Sequence, residues 1–94
     1  MTDLESDNAL GVRRRRARFR SWHRGTREAD LILGPFADAR IDRLSGPELA
    51  RYEALLEEAD ADILQWVTGA APVPAEFDTP LLRMIAAHSR GRAD

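Results

Sequence analysis

The chain has 94 residues, enough for one domain with one small core. Apolar residues make up 44%, the formal net charge is −2, and the absence of cysteine excludes a disulfide scaffold and thiolate metal sites. No apolar run reaches the roughly 18 residues of a membrane span, and the N-terminus lacks an apolar signal core. We therefore expect a protein outside the membrane in a reducing compartment, the cytoplasm.

Charge is distributed unevenly along the chain, and every basic residue is arginine. Residues 1–27 carry eight arginines and three acidic residues, whereas residues 28–94 carry six arginines and thirteen acidic residues. A basic segment of this kind indicates a nucleic acid or an acidic partner near one end of the molecule.

The N-terminal part is predicted to begin with a tail and continue into a helix. Residues 1–10 are polar and acidic, so we predict a disordered tail there and a helical domain over residues 11–91. The first helix is predicted from Val12 to about Trp22. Its arginines repel one another, so it should depend on tertiary packing through Phe19 and Trp22.

A glycine then separates the first helix from the second. Gly25 can take a positive φ at the end of the first helix, and Thr26 can cap the second, which runs to about Arg43. Pro35 should kink that helix or split it near Gly34. Its predicted buried face consists of Leu31, Ile32, Phe36 and Ile41.

The third helix has the clearest start signal in the chain. Ser45 and Glu48 have the S-x-x-E spacing of a capping box, and the helix is predicted to reach about Ala59. Its apolar stripe comprises Leu49, Tyr52, Leu55 and Leu56.

Two further short helices complete the predicted fold. The fourth begins at Asp60 or Asp62 and ends at Gly69, followed by a proline-containing loop over residues 70–74. The fifth begins at Thr79-Pro80 and ends at Gly91. It should bury one side, formed by Leu81, Leu82, Met84, Ile85 and His88. Since no segment alternates between apolar and polar residues, we predict an all-α fold, a compact bundle of five short helices.

The sequence contains no recognisable catalytic motif and no recognisable metal-binding motif. His23 and His88 are the only histidines, and they lack the spacing of a metal motif. No serine is placed as a nucleophile beside a base, and no glycine-rich phosphate loop is present. The arginines over residues 13–20 could bind nucleic acid, although the pI is near 5.7 and no helix-turn-helix is recognisable. The alternative is a cationic helix that pairs with acidic residues of its own bundle.

A resemblance to a known family comes from the segment that follows the arginines. Residues 24–28 read R-G-x-x-E, followed by Asp30, an apolar triplet and Pro35-Phe36. Further on come Leu55-Leu56-Glu57 and Ile63-Leu64-Gln65-Trp66. In this order and spacing, the chain resembles the SdhE family, also called succinate dehydrogenase assembly factor 2.

The resemblance implies a function and a set of contact residues. Members are five-helix bundles that promote covalent attachment of FAD to the flavoprotein subunit of succinate dehydrogenase and, in bacteria, of fumarate reductase. The carried-over partner-binding segment consists of Arg24, Gly25, Thr26, Arg27, Glu28 and Asp30. Thr26 and Ala29 depart from the methionine and leucine common at these positions.

The resemblance also sets expectations for chemistry and cellular location. It implies an accessory factor with no catalytic residue, because FAD becomes attached in the partner. No dinucleotide fingerprint supports FAD binding by this chain itself, and no metal site is expected. Arg24 would make bidentate contacts with that partner. We expect a monomer in the cytoplasm, or in the mitochondrial matrix if the source is eukaryotic, although no transit peptide is recognisable. The alternative is a small helical interaction or regulatory module that acts on nucleic acid through the arginine-rich first helix.

Overall fold

The computed structural model describes the backbone of residues 2–93 and the side chains of residues 9–91. Within this part the chain forms five α-helices and no strand, which confirms the predicted all-α bundle. The helices are α1 (Thr2–Trp22), α2 (Arg27–Arg40), α3 (Gly46–Leu56), α4 (Asp60–Thr68) and α5 (Pro80–Ala93). Two short 3-10 turns, Ile41–Arg43 and Ala75–Phe77, lie between them.

Helix α1 is longer than the sequence predicted. Its backbone is helical from Thr2, ten residues before the expected start at Val12, so the polar composition of this segment does not prevent helical geometry. The side chains of residues 1–8 lie outside the described part of the chain. The division into a tail over residues 1–10 and a domain over residues 11–91 stays a prediction.

Helices α1 and α2 form a closely packed hairpin around one glycine. A Cβ atom added to Gly34 would lie impossibly close to three ring atoms of Trp22, so the absence of a side chain lets the indole ring lie against the α2 backbone. The indole Nε1 of Trp22 also donates to Oδ1 of Asp38 at 3.2 Å. Gly34 therefore serves helix packing, although glycine in a helix interior costs about 1 kcal/mol relative to alanine.

Of the two outcomes predicted for Pro35, a kink or a split of α2, the split was wrong. The helix continues from Arg27 to Arg40 with Pro35 inside it, and the expected extension to Arg43 is a 3-10 turn. Packing on either side of the proline favours continuity, since Gly34 lies beneath Trp22 and Phe36 is fully buried. The predicted buried face was also partly wrong, because Leu31 is 40% exposed whereas Leu33 is buried.

The core contains one polar pair that ties α1 to α3. The hydroxyl groups of Ser21 and Tyr52 lie 2.6 Å apart, and both side chains are fully buried. Since Ser21 donates its only hydroxyl proton to the Ala17 carbonyl at 2.7 Å, Tyr52 donates to Ser21. Burial raises the pKa of Tyr52 to about 12, because the charged phenolate would lose its hydration there.

The predicted start of α3 and the predicted end of α4 are both present in the structure. Ser45 and Glu48 form the expected capping box, and Gly69 ends α4 with φ +82°. The predicted stop at Gly91 was wrong, since α5 continues to Ala93. Glycine permits a helix end but does not impose one, because it also tolerates helical φ values.

Candidate functional site

The segment between α1 and α2 is a tight turn that only glycine accommodates readily. Gly25 has φ +99°, in the left-handed region that side chains with a Cβ avoid. It is exposed, and a Cβ at this position would meet nothing within 4 Å. The backbone at Gly25 is thus open to approach from outside, as expected of a contact surface.

Arg24 points inward from this turn and is held by its own chain. Its Nε donates to Oδ1 of Asp60 at 2.8 Å, and its side chain is only 10% exposed. Its two terminal nitrogens donate to the backbone carbonyls of Leu56 and Glu58, at the end of α3 and just beyond it. The guanidinium group therefore fastens the turn to the α3–α4 junction, an internal set of bonds that differs from the bidentate partner contact expected from the sequence.

Two carboxylates complete this fastening. Asp60 lies at the start of α4, and its Oδ2 accepts a hydrogen bond from the Thr26 hydroxyl at 3.1 Å. Asp30, in the first turn of α2, accepts from the backbone N–H of Arg24 at 2.7 Å. Thr26 occupies the predicted N-cap position, but its hydroxyl binds Asp60 in place of the α2 backbone. We call Arg24, Asp30 and Asp60 the turn anchor.

The other side of the turn faces solvent. Gly25, Thr26, Arg27 and Glu28 are all exposed. Within residues 9–91, neither Arg27 nor Glu28 makes a side-chain hydrogen bond or ion pair, so both retain their bonding capacity for a partner. We call these four residues the outer turn. Ala29, by contrast, is 1% exposed and belongs to the packing of α2.

The six residues assigned to partner binding thus fall into two groups. Arg24 and Asp30 hold the turn, whereas Gly25, Thr26, Arg27 and Glu28 form its exposed side. Their assignment to a partner stays a prediction. The sequence motif did not reveal Asp60, because its role depends on a contact across 36 residues. The acidic stretch at residues 60–62 was its only signal.

Most arginines of α1 bind the chain's own groups. Arg13 makes a two-point contact with Glu53, with its shortest distance at 2.7 Å, and Arg20 lies 3.2 Å from Glu57. Arg18 pairs with Asp38 and Asp42 across to α2 and the following turn. Arg14 donates to the Leu44 carbonyl at 2.8 Å. These contacts agree with the alternative of a cationic helix paired with its own bundle.

Two arginines of the run, Arg15 and Arg16, remain exposed and make no ion pair within the described part of the chain. They lie on the side of α1 that carries Phe19, whose side chain is 63% exposed. The prediction that Phe19 packs into the bundle was therefore wrong. Two residues earlier, on the opposite side of α1, Ala17 takes the inward position; it is 1% exposed and its small side chain suits close packing.

Neither histidine lies in a metal-binding arrangement. His88 packs edge-on against Phe36, with ring centroids 6.0 Å apart, and His23 stacks on Phe19. Among the described side chains, no three metal-ligating groups come together. None of the described helices combines the length and apolar character needed to cross a bilayer.

The structure also contains a small cavity between α3 and the start of α5. It has a volume of about 60 Å³ and is lined by Arg51, Ala54, Leu55, Glu76, Phe77, Thr79, Leu81 and Leu82. Pockets for cofactors have volumes of roughly 300–1,000 Å³, so this cavity is too small to hold a flavin.

Comparison with known proteins gives the site a family context. Residues 15–89 match the protein family Sdh5, described as "Flavinator of succinate dehydrogenase". The chain is 40% identical over 87 residues to the FAD assembly factor SdhE of Acetobacter pasteurianus, covering 93% of this chain and 80% of that protein.

Mitochondrial proteins are similar over most of the chain as well. Succinate dehydrogenase assembly factor 2 of Dictyostelium discoideum is 38% identical over 77 residues, covering 82% of this chain and 55% of that protein. Assembly factor 2-B of Drosophila ananassae is 35% identical over 87 residues, covering 90% and 53%. The chain thus spans about half the length of these mitochondrial relatives. The relatives are named for assembly, which confirms the prediction of an accessory factor.

Proposed function

This chain belongs to the Sdh5 family, the flavinators of succinate dehydrogenase, and we propose that it binds the flavoprotein subunit through the outer turn. The partner is the flavoprotein of succinate dehydrogenase and, where a cell makes it, of fumarate reductase. The chain acts as a monomeric assembly factor in the same compartment as that subunit. The observation that carries the proposal is the open, positive-φ backbone at Gly25 beside two exposed charged side chains.

The anchor supports the proposal because it makes the outer turn rigid before any partner arrives. Arg24, Asp30 and Asp60 join the turn to α2, α3 and α4 through short hydrogen bonds. A preformed surface loses less conformational entropy on binding than a flexible one. Arg24 therefore contributes by shaping the turn, and Arg27 and Glu28 contribute by contacting the partner.

The charges of the outer turn suit a polar protein surface. Glu28 lies in the first turn of α2, where the helix dipole favours a carboxylate, and it can accept from a partner N–H or arginine. Arg27 can donate to a carboxylate or to backbone carbonyls. Gly25, two residues before Arg27, lets a partner backbone approach without meeting a side chain.

The covalent chemistry is assigned to the partner. FAD would supply the flavin carbon to which the new bond forms, and the flavoprotein would supply the group that forms it. The role of this chain is to stabilise a flavoprotein conformation in which these two groups are aligned. Alignment alone can account for about 7–11 kcal/mol of a barrier. The proposal does not require FAD to bind to this chain itself.

The test compares two glycines that share a conformation and differ in location. Gly25 and Gly69 both have positive φ and are exposed, and a Cβ added to either would lie in open space. Gly69 follows the C-terminal end of α4, whereas Asp60 at the N-terminal end contacts the turn. Gly25→Arg and Gly69→Arg should therefore destabilise the fold by similar amounts, about 1–2 kcal/mol, but only Gly25→Arg should block the partner.

Covalent flavin on the flavoprotein is measured by its fluorescence on a denaturing gel. We expect the fluorescent band to be lost in a deletion strain and in the Gly25→Arg strain, with flavoprotein still present, and retained with Gly69→Arg. An unchanged band in the deletion strain would contradict the function. A lost band in the deletion strain with an unchanged band for Gly25→Arg would contradict only the assignment to the outer turn.

A further inference from the structure

Phe19 and His23 form an exposed aromatic pair that the proposed contact surface does not include. Phe19 is 63% exposed, the largest exposed fraction among the large apolar side chains of the described residues. Its ring stacks on His23 with centroids 3.9 Å apart and an interplanar angle of 14°. The stacked pair therefore leaves an apolar ring surface in water, where a partner can bury it.

The pair is held rigidly. Nδ1 of His23 lies 2.7 Å from the backbone carbonyl of Phe19, four residues earlier on α1. Because a carbonyl oxygen can only accept, Nδ1 donates this hydrogen bond, which leaves Nε2 available for a bond to an outside group. Stacking and this hydrogen bond favour one arrangement of the two rings, which lowers the entropy cost of a contact.

Positive charge lies beside the pair on the same face. Arg15 and Arg16 precede Phe19 by four and three residues, so their side chains neighbour its ring on the helix surface. Both are exposed and make no ion pair within residues 9–91, whereas Arg13, Arg18 and Arg20 are paired with carboxylates. We call Arg15, Arg16, Phe19 and His23 the aromatic face of α1.

We propose that the aromatic face of α1 is a second part of the docking surface and binds an acid-rimmed apolar pocket on the same flavoprotein subunit. In this arrangement the Phe19 ring enters the apolar pocket. Arg15 and Arg16 meet carboxylates at its rim, and Nε2 of His23 accepts a hydrogen bond. The inference rests on the proposed function, since it names the same partner.

Continuity and size argue for one partner across both surfaces. Phe19 lies three residues before the end of α1 at Trp22, and His23 is followed directly by Arg24 and Gly25, so the aromatic face adjoins the outer turn along the chain. A stable protein interface uses roughly 20–30 residues on each side, far more than the four residues of the outer turn. Aromatic residues and arginine are enriched in such interfaces, and a few of them carry most of the binding energy.

The test measures the dissociation constant between the full chain and the purified apo-flavoprotein subunit. Phe19→Ala removes the ring, and Phe19→Tyr keeps it. A double change of Arg15 and Arg16 to glutamate is matched by the same change at the exposed Arg43 and Arg90, which alters net charge equally at other places. Thermal unfolding of each variant checks the fold. His23→Ala provides a second variant if Phe19→Ala does not fold.

We expect Phe19→Ala to weaken binding about tenfold, as for an interface anchor, and Phe19→Tyr to bind like the wild type. The Arg15/Arg16 variant should lose more affinity than its matched control, most of all at low salt. A loss of threefold or more for folded Phe19→Ala supports the proposal. A smaller loss, with Gly25→Arg still impaired, overturns it and leaves the proposed function intact.

Two other results are also decisive. If the wild-type chain does not bind the flavoprotein, the proposed function fails and this inference fails with it. If the chain binds a labelled DNA or RNA duplex through Arg15 and Arg16 while the Arg15/Arg16 variant binds the flavoprotein normally, these arginines serve nucleic acid and the proposal is overturned.

Discussion

Arg24 and Asp60 are joined by a 2.8 Å hydrogen bond across 36 residues of sequence, and their side chains are only 10% and 16% exposed. The contact couples the α1–α2 turn to the start of α4. The same guanidinium group also donates to the carbonyls of Leu56 and Glu58. One side chain therefore joins the α1–α2 turn to the end of α3 and to the start of α4. The shape of the outer turn therefore depends on a residue that lies outside the R-G-x-x-E motif.

Replacing Asp60 with alanine should destabilise the fold strongly. The change leaves the Arg24 guanidinium nearly buried without its carboxylate, and removal of one partner from such a pair costs about 3 kcal/mol. Arg83→Ala provides a matched control, because the Arg83–Asp78 pair has the same 2.8 Å distance but side chains that are 64% and 59% exposed. That control should change stability by less than about 1 kcal/mol.

Urea unfolding at neutral pH measures both variants. If Asp60→Ala and Arg83→Ala proved equally mild, the anchor would not hold the turn. Asp60→Asn refines the test, since an amide can still accept from Thr26 but lacks the charge that pairs with Arg24. It should fall between the wild type and Asp60→Ala in stability, with flavoprotein binding reduced in the same order.

Gly34→Ala should destabilise the protein although alanine favours helices. The added Cβ would collide with the indole ring of Trp22, and overpacking of this kind costs about 1–3 kcal/mol. Gly11→Ala in α1 is the control, because a Cβ there meets only a flexible arginine end at 3.8 Å. That change should stabilise the helix by up to about 1 kcal/mol. Thermal unfolding compares them, and a stabilised Gly34→Ala variant would contradict the close packing of α1 on α2.

The sequence predicted helix types and caps because these depend on neighbouring residues. The Ser45–Glu48 capping box and the Gly69 helix end follow from local hydrogen bonds and backbone freedom. Continuity through Pro35 and the outward position of Phe19 were missed, since both depend on how α1 packs against the rest of the bundle. The motif located the turn, but only the fold revealed that Arg24 points inward to Asp60.

The arginines of α1 should divide into two classes by their effect on stability. Arg13→Ala removes a two-point contact with Glu53, whose side chains are 36% and 30% exposed, so we expect a cost of about 0.5–1 kcal/mol after allowing for solvent screening. Arg15→Ala removes no such contact and should be neutral. Chemical unfolding at low and high salt distinguishes them, because only the Arg13 effect should shrink with salt. Equal effects would contradict the division.

Tyr52 should make stability fall at alkaline pH. Burial raises the pKa of Tyr52 to about 12 in the folded state, against about 10 when the chain is unfolded. Since the fold favours the neutral phenol, its contribution is fully present below pH about 10 and is lost as pH rises towards 12. The two-unit shift corresponds to roughly 3 kcal/mol.

This titration can be read directly, because the chain has one tyrosine, no lysine and no cysteine. Tyrosinate absorbance should appear near pH 12 in the folded protein and near pH 10 in urea-unfolded protein. Unfolding free energy measured between about pH 9 and 11 should fall for the wild type. Tyr52→Phe should be less stable at neutral pH, having lost the bond to Ser21, and should show a shallower slope. Equal slopes would mean that the pKa of Tyr52 is the same in the folded and the unfolded chain. That result would contradict the burial of its hydroxyl group beside Ser21.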